Sequence, residues 1–292
     1  MLSAAARSRL AIVLVGARNP ANIGAAARAL HDFGFSDLRI ANDFAPPLEA
    51  AQLEAATSAV SAQHVLSSAR RFDTLLEAIA DCTFVAGTTA IGERELTQPV
   101  LPLQQAAPLI LSALTTSGGP LMPQPRVPGE RSWLAGVELH RDMGGKAEFP
   151  SPRVALLFGS EKNGLTNDHL SHCSLLTTIP LFAPEQKRHL SMNLGQSVAV
   201  CLYELTRSGF EGARDLPVPH EAPATEQDRE RLTGLLLEVM QSTGYTRRYP
   251  HNAASPFVRR LVQQLGRSHR ECMTWMGILR QVLFRASEEP PQ

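Results

Sequence analysis

The sequence predicts an α/β protein on a mostly parallel sheet, and three observations carry that expectation. Short β-rich apolar runs at residues 10–15, 38–41, 83–86, 154–158 and 175–179 alternate with segments of helical periodicity. The first of these units, strand, helix and strand over residues 10–41, has the form that pairs parallel strands through a right-handed crossover. Polar residues such as Glu161 follow directly on apolar runs, at the strand ends where parallel sheets place ligands.

Residues 10–15 open onto Gly16-Ala17-Arg18-Asn19-Pro20, a turn by composition, and the helix formers after Ile23 predict a helix that stops at Gly34. Helical patterns follow near 48–60, 72–80 and 102–114. Residues 115–152 are rich in glycine and proline with little periodicity and read as a surface insertion. After the strands at 154–158 and 175–179, Met192, Val198, Val200, Leu202 and Leu205 recur on one helical face. Ser191 and Asn193 therefore stand where a loop becomes a helix and backbone N–H groups are exposed. Residues 1–209 form the main domain, 210–225 a linker, and 226–292 an extension with helices at 226–242, 255–266 and 268–285.

A chain of 292 residues with 43% hydrophobic content has material for a large core. Cys82, Cys173, Cys201 and Cys272 lie far apart, so the pattern suggests neither a disulfide framework nor a metal site. The N-terminus lacks the apolar stretch of a signal peptide and no run has the length of a membrane span, which makes the cytoplasm the expected compartment. The formal net charge is zero, but the charge is uneven. Arg247, Arg248, Arg259, Arg260, Arg267, Arg270, Arg280 and Arg285 are opposed over the same stretch only by Glu271, with Tyr245, Tyr249, His251, Phe257 and Trp275 among them. Guanidinium forks and exposed rings suit RNA phosphates and bases, while a solvated basic helical face is the alternative.

A dinucleotide site is disfavoured because Gly16 and Gly24 are too far apart for G-x-G-x-x-G. Asn22 and Arg28 share the segment NIGAAAR, in which Gly24 to Ala27 make a small-residue surface and Arg28 follows Gly24 by four positions. Thr166 is placed to cap a helix. His189 beside Ser191 lacks the third member of a nucleophile-base arrangement.

Three segments, NPANIGAAARAL at 19–30, LLFGSEKNGLTNDHL at 156–170 and LSMNLGQSVAVCLYEL at 190–205, together resemble the signature motifs of the SpoU-TrmH group of SPOUT RNA methyltransferases. The tail, with GILRQVL, resembles the C-terminal extension of the TrmJ branch, which methylates tRNA ribose in the anticodon loop. The resemblance implies a trefoil-knotted α/β fold, S-adenosyl-L-methionine as cofactor, and a homodimer with no membrane association. It places Thr88, Thr89, Ala90, Gly159, Glu161, Ile179, Leu190, Ser191 and Met192 at the cofactor. It gives Arg28, Ser191 and Asn193 to the reaction, and Asn22, Arg28, Arg247, Arg248, Arg259, Arg260 and Arg267 to RNA. Met192 stands where the family usually has leucine. Ribosomal RNA as substrate, and RNA binding without catalysis, are the alternatives.

Overall fold

The computed structural model describes residues 2–41, 48–50, 52–53, 60–90, 100–115, 152–181, 192–208 and 221–288. After a single helical turn, α1 (Ala4–Arg7), the chain enters β1 (Leu10–Val15), a six-residue run buried throughout. Helix α2 (Pro20–Phe33) begins earlier than residue composition suggests. Asn19 caps it by accepting from the Ala21 N–H at 3.0 Å, and Pro20 fits the first turn, where no N–H is needed. Gly34 ends it in the left-handed conformation at φ 73°, as its position predicts.

The remaining strands are β2 (Asp37–Ala41), β3 (Arg70–Phe72), β4 (Phe84–Thr88), β5 (Val100–Pro102), β6 (Val154–Phe158) and β7 (Leu175–Thr178). They form one parallel sheet in the order β3-β2-β1-β6-β4-β7-β5. The edge strands β3 and β5 carry no sequence signal, because three residues are too few to show a period. The helix expected over 72–80 is correspondingly shorter: after α3 (Gln63–Ser67), Phe72 belongs to β3, and Thr74 caps α4 (Leu75–Ile79) in a capping box with Glu77.

Both faces of the sheet are covered. Leu10, Ile12 and Leu14 of β1 pack with α2, with α5 (Leu103–Thr115) and with α7 (Leu194–Ser208). Ala11, Val13 and Val15 face the other way, toward α4 and α6 (Asn167–Ser171). This period-two division explains why the strands read as continuous apolar runs. A third cluster, around Leu232, Val258, Val262, Cys272 and Met276, is the core of the extension. Its helices are α8 (Glu226–Ser242), α9 (Tyr245–Arg248), α10 (Ser255–Leu265) and α11 (His269–Glu288). Among the described residues, no helix is long and apolar enough to cross a membrane. The proposed insertion falls almost wholly outside the described residues, as do residues 210–220 of the proposed linker. Residues 221–225 are already fixed, since Ala224 N–H donates to the Arg267 carbonyl at 2.9 Å and the Ala222 carbonyl accepts from His269 N–H at 2.9 Å.

At the amino edge of the sheet, Arg39 is 1% exposed and binds Asp37 at 2.8 Å and Asp81 at 2.5 Å. Arg153 pairs with both aspartates as well. Burial pushes the Asp37 and Asp81 carboxyls up, but the Arg39 guanidinium, aided by Arg70 at Asp37 and Arg153 at Asp81, outweighs it and holds both below the usual range. Arg39→Ala removes the most deeply buried member and leaves Asp37 and Asp81 only the more exposed Arg70 and Arg153, at an expected cost of about 3 kcal/mol. Urea unfolding of the variant measures the loss, and a change below about 0.5 kcal/mol rules out a structural role for the cluster.

Candidate active site and nucleic-acid interface

The loops after β1 and β6, two adjacent parallel strands, leave the carboxyl edge of the sheet side by side. In the second loop, Gly164 donates its N–H to the Ser160 carbonyl at 2.8 Å and takes φ 65°. A Cβ on Gly159 would lie 2.1 Å from the Gly164 carbonyl carbon, so the loop closes this tightly only with glycine there. Thr166 then caps α6 by accepting from His169 N–H at 3.2 Å, as the sequence predicts.

This folded loop carries Glu161 to α2. Asn22, 8% exposed, donates from Nδ2 to Glu161 Oε1 at 2.8 Å, and its Oδ1 accepts from Asn193 Nδ2 at 2.9 Å. Asn193 Oδ1 in turn accepts from the Gly195 N–H at 3.0 Å and caps α7. A chain of side-chain hydrogen bonds therefore runs from Glu161 through Asn22 to Asn193 and joins all three singled-out segments. Behind it α2 and α7 meet at small residues, where a Cβ on Gly195 would come within 2.4 Å of Ala25 Cβ. The close approach falls at Ala25, within the small-residue surface expected over Gly24 to Ala27, while the space beside Gly24 itself is open.

The other predicted site residues fall into three groups. Thr88, Thr89 and Ala90 at the end of β4, Gly159 after β6 and Ile179 after β7 form a row along the carboxyl edge of three neighbouring strands. Thr88 Oγ1 donates to the Leu157 carbonyl at 2.8 Å, and Thr89 N–H donates to the Thr177 carbonyl at 2.9 Å. Met192 is half-buried just before α7. Arg28 is exposed on α2, six residues beyond Asn22, hence about 9 Å along the axis and roughly 240° round it. Leu190 and Ser191 lie outside the described residues.

The extension docks on the opposite face of the sheet through polar contacts. Glu226 N–H donates to the Cys82 carbonyl at 2.9 Å, and Arg229 reaches the Thr83 carbonyl at 3.3 Å. Arg259, expected among the RNA-facing arginines, is instead turned into this seam. It forks onto Glu230 at 2.9 and 3.0 Å and reaches Asp168 of α6 at 2.6 Å, because carboxylates on two facing helices match its planar donors. Arg247, Arg248 and Arg267 are exposed, and Arg260 lies over the Phe257 ring at 5.8 Å. The seam role of Arg259 had no sequence signal, since its partners come from distant segments.

The SpoU rRNA Methylase family model matches residues 126–203. The tRNA (cytidine/uridine-2'-O-)-methyltransferase TrmJ of Cronobacter sakazakii is 30% identical over 286 residues, covering 96% of this chain and 98% of its own length. The chain belongs to this TrmJ branch of the SpoU family. A crystal structure of TrmJ from Z. mobilis, 28% identical, superposes with a TM-score of 0.66 over 93% of this chain and 98% of that one. An uncharacterized tRNA/rRNA methyltransferase, LasT of Escherichia coli, is 31% identical over 68% of each chain. The three hydrogen-bonded segments are those that carry the family resemblance, and the α/β fold is that of SPOUT methyltransferases.

Two measurements test this architecture. Asn193→Ala removes the cap of α7 and the partner of a buried amide, and is expected to cost about 1–3 kcal/mol in urea unfolding; a neutral effect excludes the chain of hydrogen bonds. His172, buried at the seam, has its pKa pushed down to about 4, first by burial and then by the Arg259 charge. Its neutral form belongs to the folded state, so its contribution is complete above the ordinary histidine value near 6.5 and is lost as pH falls toward 4. His172→Gln is expected to remove about 3 kcal/mol of pH-dependent stability over that window. Parallel pH profiles of unfolding for parent and variant read it, and superimposable profiles refute it.

Proposed function

We propose that this protein transfers a methyl group from S-adenosyl-L-methionine to a ribose 2′-hydroxyl in the tRNA anticodon loop, as a knotted homodimer in the cytoplasm. The observation that carries this reading is the chain from Glu161 through Asn22 to Asn193, which unites the family's motif segments at the carboxyl edge of the sheet. Relatives matched over nearly their full length, named for 2'-O-methylation of tRNA cytidine and uridine, favour tRNA over ribosomal RNA.

The carboxyl edge suits the cofactor by its chemistry. Gly159 keeps the loop after β6 flat against its own backbone, and Thr88, Thr89, Ala90, Ile179 and Met192 offer backbone polar groups with small or apolar side chains. Such a surface takes a flat heterocycle by stacking and backbone hydrogen bonds. Leu190 and Ser191 complete the proposed set. The bound cofactor supplies an electrophilic methyl group on a sulfonium sulfur. The protein's task is to hold the ribose oxygen in line with that carbon and to stabilise charge as the hydroxyl proton leaves. Glu161 and Asn22 fix the wall of the site, and Asn193 fixes the start of α7 against it.

Arg28 is the proposed reaction-side cation. Arginine gives up its proton only above about pH 12, so its role is to orient an RNA phosphate and steady the developing oxyanion. Its place on the exposed side of α2 suits a site completed across a dimer interface. Arg247, Arg248, Arg260 and Arg267 extend the RNA surface over the helical extension. Arg28→Ala is expected to lower methyl transfer to tRNA about a hundredfold or more while cofactor affinity stays within twofold. Single-turnover transfer of labelled methyl and calorimetric titration of the cofactor measure the two quantities; an Arg28→Ala enzyme of parental activity overturns the assignment.

A further inference from the structure

We propose that the cleft formed by Tyr245, Arg247, Arg248 and Tyr249 is a subsite for one unpaired RNA nucleobase and its flanking phosphate. The proposal rests on the RNA-directed reading above and names what part of the RNA the extension takes. The cleft, about 570 Å³, lies where the chain turns from α8 into α9, and Thr243 and Gly244 complete its lining. Gly244 makes the turn at φ 71°. With α8 docked at the Cys82 carbonyl by its first residue, its 17 residues set the cleft about 25 Å from that seam.

The aromatic groups are exposed but preformed. Tyr245 and Tyr249 are 40% and 48% exposed, with ring centroids 5.0 Å apart and planes tilted by 42°. Tyr249 N–H donates to the Tyr245 carbonyl at 2.8 Å, which fixes the backbone between the two rings, and Asn252 Nδ2 donates to the Tyr245 hydroxyl at 2.9 Å, which lowers the ordering cost of that ring on binding. A base between two rings needs roughly 7 Å, twice the ordinary contact distance of about 3.5 Å. The observed spacing is too narrow for that, and the base stacks on the outer face of the pair.

The charge identifies the ligand class. Arg247 and Arg248 are exposed, and among the described residues neither has a carboxylate within ion-pair distance. The carboxyl end of α8 contributes partial negative charge, so attraction for an anion comes from these two guanidinium groups. An apolar peptide would find no greasy floor, since Thr243 and Gly244 supply none. A π-face beside a phosphate-binding fork fits a nucleotide that is out of its helical stack.

Fluorescence anisotropy with a labelled single-stranded oligoadenylate and with a tRNA transcript tests the site in the full-length protein. Tyr249→Ala is expected to weaken binding of both about fivefold to a hundredfold, and Tyr249→Phe to retain it within twofold. Arg247→Ala combined with Arg248→Ala is expected to reduce the slope of log affinity against log salt by about 1.4 for the oligonucleotide. Parental affinity in Tyr249→Ala overturns the subsite, and so does an unchanged salt slope in the arginine pair, which serves should Tyr249→Ala fail to fold. A parent protein that transfers no methyl group to tRNA, yet binds oligoadenylate through Tyr249, supports the subsite and overturns the proposed activity.

Discussion

The carboxamide of Asn22 is the junction on which the candidate site depends. An amide buried this deeply must satisfy both of its ends, and it does so with partners of opposite kind. Its nitrogen donates to the acceptor-only carboxylate of Glu161, and its oxygen accepts from Asn193. That polarity allows one arrangement of the three segments. Because Asn193 also caps α7, the same contact fixes where the helix begins, and the packing of Gly195 on Ala25 fixes how close α2 and α7 come.

Charge is sorted between the two ends of the sheet. The amino edge holds the Arg39, Arg153, Asp37 and Asp81 cluster, in which paired ions replace hydration and hold strand ends together. Among the described residues, the carboxyl edge carries Arg18, Glu161 and Lys162 beside backbone polar groups and small side chains. The proposed site lies where strands end and loops can vary, which a parallel sheet provides by its construction.

The extension is more firmly joined to the sheet than an appendage on a linker. Arg259 ties α10 to α8 and to α6, the helix that follows the Glu161 loop, while Arg229 and Glu226 seat α8 on the loop before β4. Any RNA held by the extension is therefore held at a set distance from the sheet. The proposed subsite at the far end of α8 depends on that rigidity, because a lever without a fixed base cannot position a ligand.

The sequence by itself determined the central strands, the stop of α2 at Gly34, the cap at Thr166, the place of Asn193 at a helix start, and the three longer helices of the extension. These are local matters, settled by periodicity, caps and turn residues within a few positions of one another. It also made Asn22, Glu161 and Asn193 visible as members of recurring motifs, without showing that they touch. The edge strands β3 and β5, the contact of Ala25 with Gly195 and the inward turn of Arg259 were decided by tertiary structure alone. Each depends on partners far away in the chain, and whether an arginine meets carboxylates or solvent is settled only when packing brings distant helices together.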